Sequence, residues 1–214
     1  MREISPFSIA EMMVEATASY HPDDLAYLFA TGLSENVLRD ALSAYMHRTL
    51  GLDNHQFVGR EWKKTDITIH DGAHPLAFIE GKAYLHKDAA DPGRLKKNLK
   101  SIKRDLEKDI AKSRKALNEI LGKDHGAKNF FTVALSTTHI PDDYHIGYGN
   151  ITYAKYHREW FKKLGTPENV IIAGNKELIN LLSSYGTVEH VRLKTGNYSG
   201  IPVTVDFFVL DVRD

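Results

Sequence analysis

The chain has no cysteine, and this single absence removes disulfides, thiol catalysis and Cys-based zinc sites together. No run approaches the roughly 18 apolar residues that a membrane span needs, so no membrane association is expected. The first residues, Met1-Arg2-Glu3-Ile4-Ser5-Pro6, lack the apolar centre of a secretory signal, and the expected setting is the cytoplasm. There is no net charge, 28 Lys and Arg standing against 28 Asp and Glu; a polyanion would have to be met locally, not by the whole surface. A phosphate-cradling loop and a dinucleotide fingerprint are missing too, Gly147-Tyr148-Gly149-Asn150 being too short for either. The serines lie in no nucleophile-elbow context, which argues against a hydrolase triad.

What is present suits one globular domain over residues 1–214. The apolar fraction of 42% and charged fraction of 26% are ordinary for a folded protein. The charge is uneven. Between Arg94 and Leu121 ten bases face four acids, so this segment carries +6 and the remainder −6. Its apolar positions Leu95, Leu99, Ile102, Leu106 and Ile110 recur at helical spacing. This predicts a long helix with one face on a sheet and a Lys-rich back that is either solvated or turned towards phosphates.

Periodicity and punctuation place the other elements. Helices are expected over residues 8–20, 22–30 and 35–50, the last capped by Ser34 and stopped at Gly51. A short strand at 56–62 precedes a hairpin, a loop containing Asp91-Pro92-Gly93 follows Lys82, and Phe130 to Leu135 reads as a buried strand. Residues 139–150 read as a loop, followed by an aromatic helix with Tyr153, Tyr156, Trp160 and Phe161. Val170 to Ala173 reads as another strand and Glu177 to Tyr185 as a helix. Val188 to Leu193 and Val203 to Val209 form a second hairpin. This alternation predicts an α/β (α+β) fold, a mixed sheet with helices on its faces.

The most informative stretch is the first hairpin. Asp66-Ile-Thr-Ile-His70 and Leu76-Ala-Phe-Ile-Glu80-Gly-Lys82 are apolar runs of strand length, and Asp71-Gly72-Ala73-His74-Pro75 between them carries turn chemistry. With the loop centred on Ala73, Asp66 falls opposite Glu80, their Cβ atoms within about 5.5 Å. Two like charges so close require a cation, and hard oxygen ligands suit Mg²⁺ or Mn²⁺. Lys82, two residues after Glu80, shares its face of the strand.

An Asp at the start of one strand, then an apolar lead into Glu-x-Lys on the next, resembles the signature of the PD-(D/E)xK nuclease superfamily with its restriction-endonuclease-like fold. Thr65 stands where the family's name has proline. The resemblance implies an α-β-β-β-α-β core over about residues 30–140, with N-terminal helices before it and 141–214 as an embellishment ending in a β-hairpin. It implies a metal-dependent endonuclease hydrolysing DNA, duplex DNA first, with Asp66, Glu80 and the Gly81 backbone carbonyl as metal ligands. Lys82 would orient or deprotonate the attacking water, or hold the phosphate. A further carboxylate from the preceding helix would be Glu35, whose other reading is favourable placement at a helix N-terminus.

Lys96, Lys97 and Lys100 are expected to contact phosphates, and the loop residues Tyr144 and Tyr148 to stack on bases. Cutting both strands calls for two sites, hence a homodimer. A second class of function is a nucleic-acid-binding or assembly module on the same fold that does not cleave. Two features compete with this placement. Glu61-Trp62-Lys63 is another Glu-x-Lys, but with only Phe57-Val58 as apolar lead. His139, His145 and His157 near Asp142 and Asp143 fit no helical zinc-protease spacing and read as a surface loop.

Overall fold

Ser5 opens the first helix through a capping box: its hydroxyl accepts from the Ser8 N–H at 3.2 Å, and the Ser8 hydroxyl accepts from the Ser5 N–H at 2.9 Å. With Pro6 in the first turn, α1 (Pro6–Thr17) therefore begins two residues before the predicted start. The computed structural model describes residues 4–32, 35–50, 55–63, 65–90, 95–122, 127–138 and 165–212, without the side chains of 87–88 and 95–99. Ser34, the loop 139–150 with Tyr144 and Tyr148, the His139, His145 and His157 group, and the predicted aromatic helix lie outside these residues.

Two more helices, α2 (Pro22–Thr31) and α3 (Glu35–Thr49), lead into β1 (Gln56–Trp62), β2 (Thr65–Asp71) and β3 (His74–Leu85). After them come α4 (His86–Ala90), α5 (Leu95–Leu121), β4 (Lys128–Thr138) and α6 (Pro167–Ser183). The described chain closes with β5 (Gly186–Leu193), β6 (Asn197–Tyr198) and β7 (Ile201–Val212). The sheet runs β1-β2-β3-β4-β7-β5, and β6 pairs with β7 beside that path. Only β3 and β4 are parallel among the described pairs, a pairing that needs a crossover, which α4 and α5 begin. The fold is thus a mixed sheet flanked by helices, of the α+β kind.

Each face of the sheet has its own core. Ile9, Met12, Leu25 and Leu42 from α1 to α3 meet Ile67 and Ile79 on one side. On the other, Ile102, Leu106 and Ile110 of α5 and Leu178 of α6 meet Phe131 and Phe208. Both faces of β4 and β7 are covered, which is why these strands read as near-continuous apolar runs. Among the described residues, no helix is long and apolar enough to cross a membrane.

Two expectations are corrected. Val170 to Ala173 is helix, not strand: Thr166 caps α6 by accepting from the Asn169 N–H at 3.3 Å, Pro167 opens it, and buried Val170, Ile171, Gly174, Leu178 and Leu182 follow helical spacing. A four-residue apolar run cannot by itself tell a buried strand from a buried helix. The loop expected after Lys82 starts later, since β3 continues to Leu85 and α4 follows at once to Ala90; its residues Asp91, Pro92 and Gly93 lie outside the described residues. That turn sets His86 under the sheet, where Gly174 of α6 packs so closely that a Cβ on it would approach the His86 carbonyl oxygen to 2.8 Å.

His86 and Asp206 form a buried polar clasp on this side, both fully shielded from solvent. His86 Nε2 lies 3.0 Å from Asp206 Oδ2, and its Nδ1 lies 3.0 Å from the Thr137 hydroxyl. From β5, His190 Nε2 lies 2.7 Å from Asp206 Oδ1, and Arg192 donates to both oxygens at 3.2 Å. The clasp ties α4, β4, β5 and β7 together.

Candidate active site

The hairpin of β2 and β3 brings the two carboxylates together. Ile67, Thr68 and Ile69 pair with Ile79, Phe78 and Ala77, so the next step outward sets Asp66 against Glu80. The turn is tighter than expected, with Asp71 paired to His74 and Gly72 in the left-handed region at φ 58°. A register shift between Ile69 and His70 makes Leu76 the extra residue and restores the spacing at the site. Gly81 completes the corner. Its N–H donates to Asp66 Oδ2 at 2.8 Å, and Thr132 from β4 donates to the Glu80 carbonyl at 3.2 Å. A Cβ at Gly81 would stand 3.2 Å from the Thr132 hydroxyl oxygen and 3.6 Å from Asp66 Oδ2, so a side chain would crowd the carboxylate.

Burial pushes the Glu80 carboxyl up to about 7; Asp66 beside it adds to the rise, while Lys112 pulls the other way. A neighbouring carboxylate has this effect because two like charges resist sharing one place. Lys112, from α5, makes an ion pair with Glu80. Lys82 stands between Asp109 of α5 at 3.3 Å and Glu35 of α3 at 3.9 Å. Burial disfavours its charge, but Glu35, Asp109 and Asp66 outweigh that and raise its pKa, so Lys82 is an ammonium here. Glu35 is raised by burial, with Lys82 opposing.

Arg39 of α3 lies 3.9 Å from Asp66 and 2.9 Å from Glu61, and it also pairs with Asp40 at 3.1 Å. Glu35, Arg39, Asp66, Gly81 and Lys82 are among the residues around a cavity of about 20 Å³, room for roughly one water.

The donors bear on the implied metal. Among the described residues, no three His, Asp or Glu side chains gather as a ligand set. Mg²⁺ needs no such cage, since it commonly rests on one or two carboxylates and completes its shell with water and substrate phosphate. Asp66 and Glu80 are adjacent carboxylates, the first partly and the second almost wholly shielded from solvent, and they fit that requirement.

The structure brings Glu35, Asp66, Glu80, Gly81 and Lys82 to one corner. It does not bring Lys100 there: that side chain is exposed on α5, and those of Lys96 and Lys97 lie outside the described residues. In the competing Glu-x-Lys, Glu61 and Lys63 have φ of 55° and 53°, and the Glu61 side chain is 68% exposed. Sequence reasoning missed Arg39, Asp109 and Lys112 as members of the site. Asp109 did carry a signal, since it falls between Leu106 and Ile110 inside the apolar stripe, where an acid needs a partner. Comparison with family models, with curated proteins and with solved structures finds no match for this chain.

Proposed function

We propose that this chain is a divalent-metal-dependent endonuclease of the PD-(D/E)xK kind, hydrolysing DNA, most readily duplex DNA, in the cytoplasm. The observation that carries the reading is the pairing of Asp66 with Glu80 on neighbouring strands, with the Lys82 ammonium on the same corner. Asp66, Glu80 and the Gly81 carbonyl would hold Mg²⁺ or Mn²⁺. When bound, the ion supplies Lewis acidity towards a phosphate oxygen and lowers the pKa of a coordinated water. The chain's own residues do the rest. Lys82, kept charged by Glu35 and Asp109, is suited to holding a non-bridging phosphate oxygen or orienting the water, and poorly suited to taking a proton. Glu35 positions Lys82 and does not itself need to touch the metal. Cleavage of both strands takes two such sites, so the reading includes a homodimer.

The deciding experiment incubates linear and supercoiled DNA with the protein in Mg²⁺ or Mn²⁺, then in EDTA. Cleavage is expected with either ion and none in EDTA; undiminished cleavage in EDTA would refute the two-carboxylate mechanism. The ion pair of Lys112 with Glu80 favours one other reading, a DNA-binding or assembly module whose carboxylates are already neutralised. That reading gains if DNA is bound with metal present and never cut.

The basic back of α5 is expected to meet the DNA backbone. Replacing Lys96, Lys97 and Lys100 together by Gln should shallow the salt dependence of binding by up to about 0.9 in log–log slope for each phosphate no longer neutralised. A salt titration of DNA affinity reads this directly, and an unchanged slope means that face is merely solvated.

A further inference from the structure

Glu80 and Lys82 are two residues apart on one face of β3, within reach of each other, yet each pairs elsewhere. Lys82 is 3.3 Å from Asp109, and Glu80 pairs with Lys112. The two α5 partners are three residues apart, a rise of about 4.5 Å along a helix, against about 6.6 Å for two residues of strand. Because α5 runs back along β3, the later helix residue meets the earlier strand residue, and two flexible lysines take up the mismatch. The result is a crossed set of charges: α5 gives a cation to the strand's acid and an acid to the strand's cation. The Glu80 side chain is only 4% exposed, whereas that of Lys112 is 33% exposed. The carboxylate is fixed, and its counterion has an open way out to solvent.

We infer that Lys112 is the resident counterion of Glu80, holding that carboxylate in place and neutralised until a divalent cation displaces it, while Asp109 keeps Lys82 from taking the same position. The inference rests on the proposed metal-dependent function and adds a positioning residue to its site. Asp66 and Glu80 side by side, one of them buried, would repel each other in the absence of any cation. The Lys112 ammonium relieves that repulsion in the metal-free protein. A divalent ion on the same carboxylates relieves it more completely, and Lys112 then turns outward. Metal and lysine therefore compete for Glu80, so Lys112 weakens metal binding even though it belongs to the site.

The test is calorimetric titration of Mn²⁺ into the wild-type chain, Lys112→Met and Lys112→Arg, without DNA and at mildly alkaline pH, where the proton competes least. Met keeps the helix and the stem of the side chain, and thermal melts check that each variant is folded. Lys112→Met is expected to bind Mn²⁺ at least about fivefold more tightly, because the ion no longer has to break a pair of opposite unit charges, an attraction that at about 4 Å corresponds to about fivefold even at the dielectric constant of water. Lys112→Arg, which keeps the competing cation, is expected to match the wild type. A merely structural Lys112 would leave the Met variant's affinity unchanged or reduced, and that result, or an Arg variant as tight as Met, overturns the inference while leaving the proposed function standing. Absence of Mn²⁺ binding in all three proteins overturns both.

Discussion

Glu80→Ala is expected to lose both Mn²⁺ binding and DNA cleavage, whereas Lys82→Met is expected to keep the ion and lose about 10²-fold in single-turnover cleavage rate, the usual effect of removing one preorganised charge from a developing transition state. The two residues stand on one face of one strand but have different partners, and so different jobs. Removing Glu80 takes away half of the carboxylate pair. The fold tolerates it, because the repulsion from Asp66 disappears and Lys112 is a third exposed and so not left as a buried charge. Removing the Lys82 charge leaves Asp66 and Glu80 intact as ligands, but it strips the cation from Asp109, whose side chain is 12% exposed, and from Glu35. A stability cost of about 1–3 kcal/mol follows from leaving a nearly buried carboxylate without its counterion. Melting curves therefore accompany the kinetics, and the rate is measured well below the variant's transition. Glu61→Ala and Lys63→Met should leave cleavage nearly intact, since Glu61 is exposed and is linked to Asp66 through Arg39. Abolition of activity by the 61 and 63 variants, with Glu80→Ala still active, would move the site to the β1–β2 turn.

How much of this is legible in the sequence depends on the range of the forces involved. The carboxylate pair is legible because hairpin register is local: apolar alternation and a Gly-containing turn nearly fix which residues face each other. The bulge at Leu76 is not, yet it cancels the tighter turn, so the pairing of Asp66 with Glu80 survives an error in the loop. The long helix α5 is legible from its stripe, and β1 falls on its predicted residues. The segment at 170–173 misleads because Val and Ile dominate it; Thr166-Pro167-Glu168 carries the helix-start signal that should prevail. The counterions of the site are hidden for a different reason. Which of the lysines on α5 meets Glu80 depends on how the helix crosses the strand, a matter of packing across 32 residues of chain. The clasp of His86 and Asp206, separated by 120 residues, leaves no local trace at all.

That clasp carries the largest stability effect expected of a single substitution. Asp206→Ala should destabilise the fold by about 3–5 kcal/mol, because it removes the buried carboxylate that His86, His190 and Arg192 all bond to and leaves His86 buried without that partner. For a chain of this size, that lowers the melting temperature by about 10 °C. Burial alone would push the Asp206 carboxyl up, but hydrogen bonds from His190, His86 and Arg192 overcome it and hold the group well below the usual carboxylate range. The sign of the pH effect follows. A depressed folded-state pKa means that the unfolded chain takes up the proton first, so the stabilisation is complete above about pH 4, the unfolded value. It is lost as the pH falls from there towards the folded-state value. Unfolding of wild type and Asp206→Ala, followed between neutral pH and pH 3, should therefore show a wide gap near neutrality that narrows below about pH 4. Asp206→Asn, which keeps the shape and one acceptor, should fall between the two at neutral pH. Equal stability of wild type and Ala variant at neutral pH would show that His86, His190 and Arg192 are held by packing alone. A gap that stays constant into the acid range would show that the charge of Asp206, as distinct from its shape, contributes nothing.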